Sequence, residues 1–123
     1  MASLVVFLRS GDWDARYLAT SLAITGAALG DEVHVALQGE ALRAFVEGRF
    51  GAGAPSTASG LHLPPLDATL SEARRELGLR VVACDTAARL AGLDPAHLVP
   101  PLDAVESLPT LWRLAQSGRV LSL

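Results

Sequence analysis

Short apolar runs alternate with helix-patterned segments along this chain, and that alternation constrains its fold more than any other feature. Leu4 to Leu8 is a continuous apolar run, the pattern of a strand covered on both faces. Ser10-Gly11-Asp12-Trp13-Asp14 follows as a polar turn with two candidate helix caps, Asp12 and Asp14. From Ala15 to Leu29 the spacing predicts a helix, with Leu18, Leu22 and Leu29 on one face and Ala15, Ala19 and Ala23 along its flank. Gly30-Asp31 ends it, and Glu32 to Leu37 reads as a second strand. Gln38-Gly39 breaks that strand, and Glu40 to Glu47 makes a short helix that turns Leu42, Phe45 and Val46 to the sheet.

Gly48 to Pro65 is rich in Gly, Ala, Ser and Pro and reads as a long structureless connection, the signature of a functional loop, a lid or an excursion. Leu66, Leu70, Ala73 and Leu77 then mark the clearest amphipathic helix, closed by Gly78. A strand at Arg80–Ala83 runs into Cys84 and a helix from Asp85 to Ala91, ended by Gly92. One more helical turn is expected at Asp94–Leu98, extended backbone at Pro100-Pro101, and a short strand at Leu102–Val105. Ser107 caps a helix carrying Leu108, Leu111 and Leu114, with Pro109 in its first turn, and Arg119–Leu123 is a last strand. About five strands alternating with helices in this way predict one domain over residues 1–123. Its fold class is α/β, a three-layer α/β/α sandwich on a mostly parallel sheet with right-handed crossovers. The pattern does not specify strand order.

Composition narrows the chemistry. The net charge is −3 and the arginines are scattered singly, so no basic stripe exists for a phosphate backbone and nucleic acid is not an expected partner. All ten basic residues are arginine. Without lysine there is no Walker-type phosphate loop and no Schiff base. The three histidines, His34, His62 and His97, fall in a strand, a loop and a turn with no metal-ligand spacing, so neither a metal nor another cofactor is expected. The stretch Met1–Leu8 has no basic n-region and reads as a strand instead of a signal peptide. No run approaches the roughly 20 apolar residues of a membrane span. A single cysteine allows no internal disulfide, which fits a reducing compartment. A soluble, cytoplasmic protein is the expectation.

Cys84 is the one residue with candidate chemistry. It lies at the carboxyl end of a strand and the amino end of a helix, where free N–H groups favour an anion such as a thiolate. Binding crevices of open parallel sheets form at this same edge. Ser10, Gly11 and Asp12 after the first strand, and Gln38 after the second, end at that edge as candidate pocket residues. Asp85 and Arg89 flank the cysteine. Turn chemistry accounts equally well for the Ser, Gly and Asp positions. A lone cysteine is also commonly a small buried hydrophobe. With no resolving thiol in the chain, a dithiol cycle within one subunit is excluded, whereas a carrier of one sulfur needs only one thiol.

The order of these segments resembles the DsrE/DsrF-like family, most closely its TusD-type sulfur-relay branch. The resemblance is carried by the strand, polar turn and small-residue helix of Leu4–Leu29 and by Val33-His34-Val35-Ala36-Leu37-Gln38-Gly39-Glu40-Ala41-Leu42. It continues through the helix Leu66–Leu77, the stretch Leu79-Arg80-Val81-Val82-Ala83-Cys84 with Ala87-Ala88-Arg89, and the closing Arg119-Val120-Leu121-Ser122-Leu123. It departs at Asp85, where relay members carry an apolar residue, and at the turn Leu37-Gln38-Gly39, which lacks their aromatic character. The resemblance implies a compact α/β/α domain that assembles into a homo-oligomer. It also implies that Cys84 accepts a persulfide sulfur from a donor protein and passes it to an acceptor. Two alternatives stand beside it: a non-catalytic oligomeric binding or scaffold domain with a structural cysteine, and a small-ligand binder using the turns after the first two strands.

Overall fold

The computed structural model describes residues 2–123; Met1, which opens the N-terminal stretch read above, lies outside them. Five strands form one sheet: β1 (Ser3–Leu8), β2 (Glu32–Leu37), β3 (Arg80–Cys84), β4 (Ala104–Glu106) and β5 (Gly118–Ser122). The helices are α1 (Trp13–Ala28), α2 (Gly39–Val46), α3 (Ser56–Gly60), α4 (Leu66–Leu77), α5 (Asp85–Leu90) and α6 (Leu108–Gln116), with one 3-10 turn at Pro95–His97. The strand order is β4-β3-β2-β1-β5 and every pairing is parallel. The chain therefore winds outward in one direction from β1 to β4. It then crosses back over the sheet to place β5 on the far side of β1.

With right-handed crossovers, that reversal puts the helices on opposite faces. Leu4, Val6, Leu8, Val33, Val35, Leu37, Val81 and Ala83 pack under α1, α2, α4 and α5 in the larger core. The alternate strand residues Val5, Ala36 and Val82 point the other way and are sealed by Leu111 of α6. A strand buried on both faces cannot alternate apolar with polar, which explains the continuous apolar runs of β1, β2 and β3. This is the three-layer α/β/α sandwich expected from the sequence, its sheet wholly parallel. Among the described residues no helix is long and apolar enough to cross a membrane.

Three expectations need correction. The first concerns which face of α1 is buried. Arg16, Ala19, Thr20, Ala23 and Gly26 face inward, while Leu18 is 46 % and Leu29 80 % exposed. Close approach decides it: a Cβ on Gly26 would lie 2.9 Å from Leu4 Cδ2, so only small residues let α1 sit so near the sheet. The spacing set the leucines on one face and the alanines along its flank; packing distance buries the alanine side. Asp12 occupies the N-cap position of this helix, but its carboxylate makes no capping bond.

The second correction is the stretch from Gly48 to Pro65, which is not structureless. It contains α3, buries Phe50 to 2 % exposure and Ala58 to 8 %, and sets Phe50 edge-on against Phe45. Arg16 holds it to α1. Its guanidinium donates to the carbonyl oxygens of Gly11 (3.2 Å), Arg49 (3.2 Å), Ala52 (2.8 Å) and Phe50. The third concerns Pro100-Pro101, which forms a turn with cis peptides before both prolines instead of an extended segment, and the short fourth strand begins two residues later than expected, at Ala104.

Beyond that turn, Asp103 ties three elements together. Its carboxylate accepts from Arg74 of α4 at 2.8 and 3.1 Å and from the backbone N–H of Val81 at 2.7 Å. Burial pushes the Asp103 carboxyl up, but the bonds from Arg74 and Val81 and the charges of Arg74 and Arg80 outweigh it and hold the pKa below the usual carboxylate range.

Candidate functional site

Cys84 is the last residue of β3 and the N-cap of α5, with extended backbone (φ −81°, ψ 151°). Its sulfur takes the part that a serine hydroxyl would: Sγ accepts the N–H of Ala87 at 3.1 Å. The strand pleat sends this side chain to the same face as Val82, where it packs half-buried against the cluster sealed by Leu111. In the register of the sheet it stands beside Glu106 of β4. The flanking residues do not crowd the sulfur with charge. Asp85 turns its carboxylate back onto the N–H of Thr86 (2.9 Å), and Arg89 is exposed with no hydrogen-bond or ion-pair partner among the described residues.

The remaining candidates divide between two places. Gln38 continues the β1–β2 pairing through its N–H to Leu8 O (2.9 Å) and lines an open cleft of about 240 Å³ with Arg9, Gly39, Ala87, Leu90 and Ala91. That cleft lies on the α2–α5 side of the sheet. It meets Cys84 only through Ala87, whose N–H points to the sulfur, and Cys84 does not line it. Ser10 accepts the N–H of Asp12 at 3.1 Å, an ordinary local turn bond. Gly11 is needed for space, since a Cβ there would sit 2.9 Å from Glu40 Cβ. Asp12 faces a separate hollow beside Gly53 and Pro55. The turns after β1 and β2 thus meet in the cleft through Arg9 and Gln38, while Asp12 faces the separate hollow.

Arg9, Ala87 and Leu90 of the cleft carry no motif of their own in the sequence. The one available signal was register: residues just past β1 and in the first turns of α5 must meet Gln38 once the strands lie side by side. His34 is buried on the α6 face of β2 with Nδ1 unpartnered. Burial lowers its pKa, Glu32 and Glu106 pull upward, and Arg80 adds to the lowering. Among the described residues no three His, Cys, Asp or Glu side chains are placed to hold a metal ion.

No family model matches the chain, and no curated protein matches its sequence. Solved structures do match its fold. The crystal structure of the ychN protein from E. coli superposes with a TM-score of 0.65 at 17 % identity, covering 100 % of both chains. The structure of MTH1491, a protein of unknown function from Methanobacterium thermoautotrophicum, superposes with a TM-score of 0.60 at 18 % identity, again over 100 % of both chains. At such identities the likeness is one of fold.

Proposed function

We propose that this chain is a DsrE/DsrF-like protein of the sulfur-relay type, in which Cys84 carries one sulfur atom as a persulfide. The observation that carries the reading is the placement of the only cysteine: a strand end at the carboxyl edge of a parallel sheet, half-buried, with a backbone N–H on the sulfur at 3.1 Å. The Cys84 thiolate attacks the terminal sulfur of a donor persulfide. The donor's S–S bond breaks, its thiolate leaves, and Cys84 holds the new S–S bond. The acceptor thiolate then repeats the attack on the Cys84 persulfide and regenerates the Cys84 thiolate. No electrons are gained or lost overall, so no second cysteine is required. The Ala87 N–H remains available to the inner sulfur throughout. Donor and acceptor are separate sulfur-carrying proteins, and the carrier acts as a cytoplasmic homo-oligomer.

Incubation with glutathione persulfide followed by intact-mass measurement tests this. Wild type gains one sulfur, and a thiol reductant removes it. Cys84→Ser gains none yet stays folded, because serine is a preferred N-cap and keeps the bond to Ala87. A wild type that gains no sulfur, or a gain that survives in Cys84→Ser, overturns the reading. The packing of Cys84 against the Leu111 cluster favours one rival, a scaffold domain with a structural cysteine. That rival requires a native Cys84 that resists alkylation by iodoacetamide, whereas the carrier alkylates readily.

A further inference from the structure

We infer that the groove between the first turn of α1 and the segment around α3 binds a small organic ammonium ion. Two adjoining hollows of about 270 and 290 Å³ run along it and share Trp13, Asp14 and Pro55. The first is mostly apolar and open, flanked by Tyr17, Leu61 and Leu63. The second carries the carboxylate of Asp12 beside Gly53. Each hollow lies just under the range of about 300–1,000 Å³ typical of small-molecule sites, so the ligand is small.

The wall is unusual for this chain. Only six residues are aromatic, and two of them, Trp13 and Tyr17, stack here with ring centroids 5.1 Å apart and planes 20° apart. Stacked rings present a negative π surface that attracts a cation and solvates its methyl groups. The charges at the mouth agree in sign. Neither Asp12 nor Asp14 makes an ion pair or accepts a side-chain hydrogen bond among the described residues. Arg16 adjoins the second hollow, with Nη2 3.7 Å from the Cβ position of Gly53; its charge acts on Asp12 and its donors are taken by four backbone carbonyls. Arg49 is paired with Glu47. Asp14, in the first turn of α1, has no side-chain partner among the described residues and lies one residue from Trp13. Exposed Leu61 (71 %) and half-exposed Tyr17 (38 %) leave apolar surface that an alkylammonium body would cover.

This inference does not depend on Cys84. In a Trp112→Phe background, which removes an indole 63 % exposed on the opposite helix layer, Trp13 is the sole tryptophan. Titration with choline should then change Trp13 fluorescence, and the Trp13 Nε1–H resonance, along a saturating curve. Dimethylbutanol, the uncharged carbon isostere, should give no saturating change. Asp14→Asn should weaken choline binding about five-fold, the effect of one carboxylate at close range in water. Tyr17→Leu, which keeps the apolar area and loses the π face, should weaken it by a similar factor. Cys84→Ser should bind as wild type. A response to choline that never saturates, equal binding of dimethylbutanol, or unchanged affinity in both Asp14→Asn and Tyr17→Leu overturns the proposal.

Discussion

Replacing Arg16 with methionine isolates what a buried guanidinium contributes to this fold. Arg16 is 5 % exposed and donates to four carbonyls, three of them in the segment that follows α2. Burial, and then the charge of Arg49, pull its pKa below the ordinary arginine value, with Asp12 opposing, yet it remains a cation at neutral pH. Methionine keeps most of the aliphatic volume and removes every donor. The Phe50 carbonyl is then buried without a partner, at a cost of about 1–3 kcal/mol. The other three carbonyls are partly buried and can turn to water, so each loses about 0.5–1.5 kcal/mol. Relief of the guanidinium's own desolvation returns about 2–3 kcal/mol of this. Mid-range values leave a net destabilisation of about 2–3 kcal/mol, the extremes spanning about 0–5, and it is concentrated locally. Urea unfolding measures the global part. Amide hydrogen exchange over residues 48–65 measures the local part, where protection should collapse first. Arg16→Lys should fall between the two, since an ammonium keeps the charge but has three donors on one atom instead of a fork. If Arg16→Met unfolds within about 0.5 kcal/mol of wild type and leaves exchange over 48–65 unchanged, the guanidinium does not hold that segment in place.

Two further outcomes follow from the closing turns of the chain. Gly118→Ala should cost about 3 kcal/mol or more in urea unfolding, because the added Cβ would be driven into the Ser3 carbonyl, 2.6 Å from Ser3 C and 2.7 Å from Ser3 Oγ, and backbone cannot yield as a side chain does. Asp103→Asn should cost about 1–2 kcal/mol at neutral pH, a charged hydrogen-bonded pair discounted for its partial exposure. The pH dependence has a definite sign. The native carboxyl titrates below its unfolded value, so its contribution is complete above about pH 4 to 5 and disappears as pH falls through the lower native pKa. Urea midpoints of wild type and Asp103→Asn should therefore converge in acid; a gap that persists at low pH would count against the charge as the cause.

The strands and the local caps were legible in the sequence because they are written in neighbouring residues. β2 and α4 have the bounds that periodicity predicts, Ser107 caps α6 through the N–H of Thr110, and Gly78 takes the left-handed position that ends α4. What was not legible is settled between distant residues. Arg16 is an ordinary polar helix position until Phe50 and Ala52 arrive. Arg74 belongs to a solvated helix face until Asp103 meets it across 29 positions. The inward face of α1 depends on how closely Gly26 and Leu4 approach, which no count of apolar residues conveys. At the candidate site, the strand–cysteine–helix junction was readable. The side of the sheet to which its sulfur points was not, because that depends on where β3 lies relative to α6.

The return of the chain to β1 carries a kinetic consequence. β1 pairs with β2 early, across one helix, but its other edge waits for a strand whose junction residue Ser117 meets Ser3 from 114 positions away. Closing so distant a contact costs more loop entropy than any other pairing in the sheet, so it belongs late in folding. Until then Val5, Ala36 and Val82 have no cover, because Leu111 reaches them only as α6 swings over with β5. The topology thus predicts that α6 and β5 dock last, and that a chain lacking them presents an apolar, open-edged sheet, the kind of surface most prone to association.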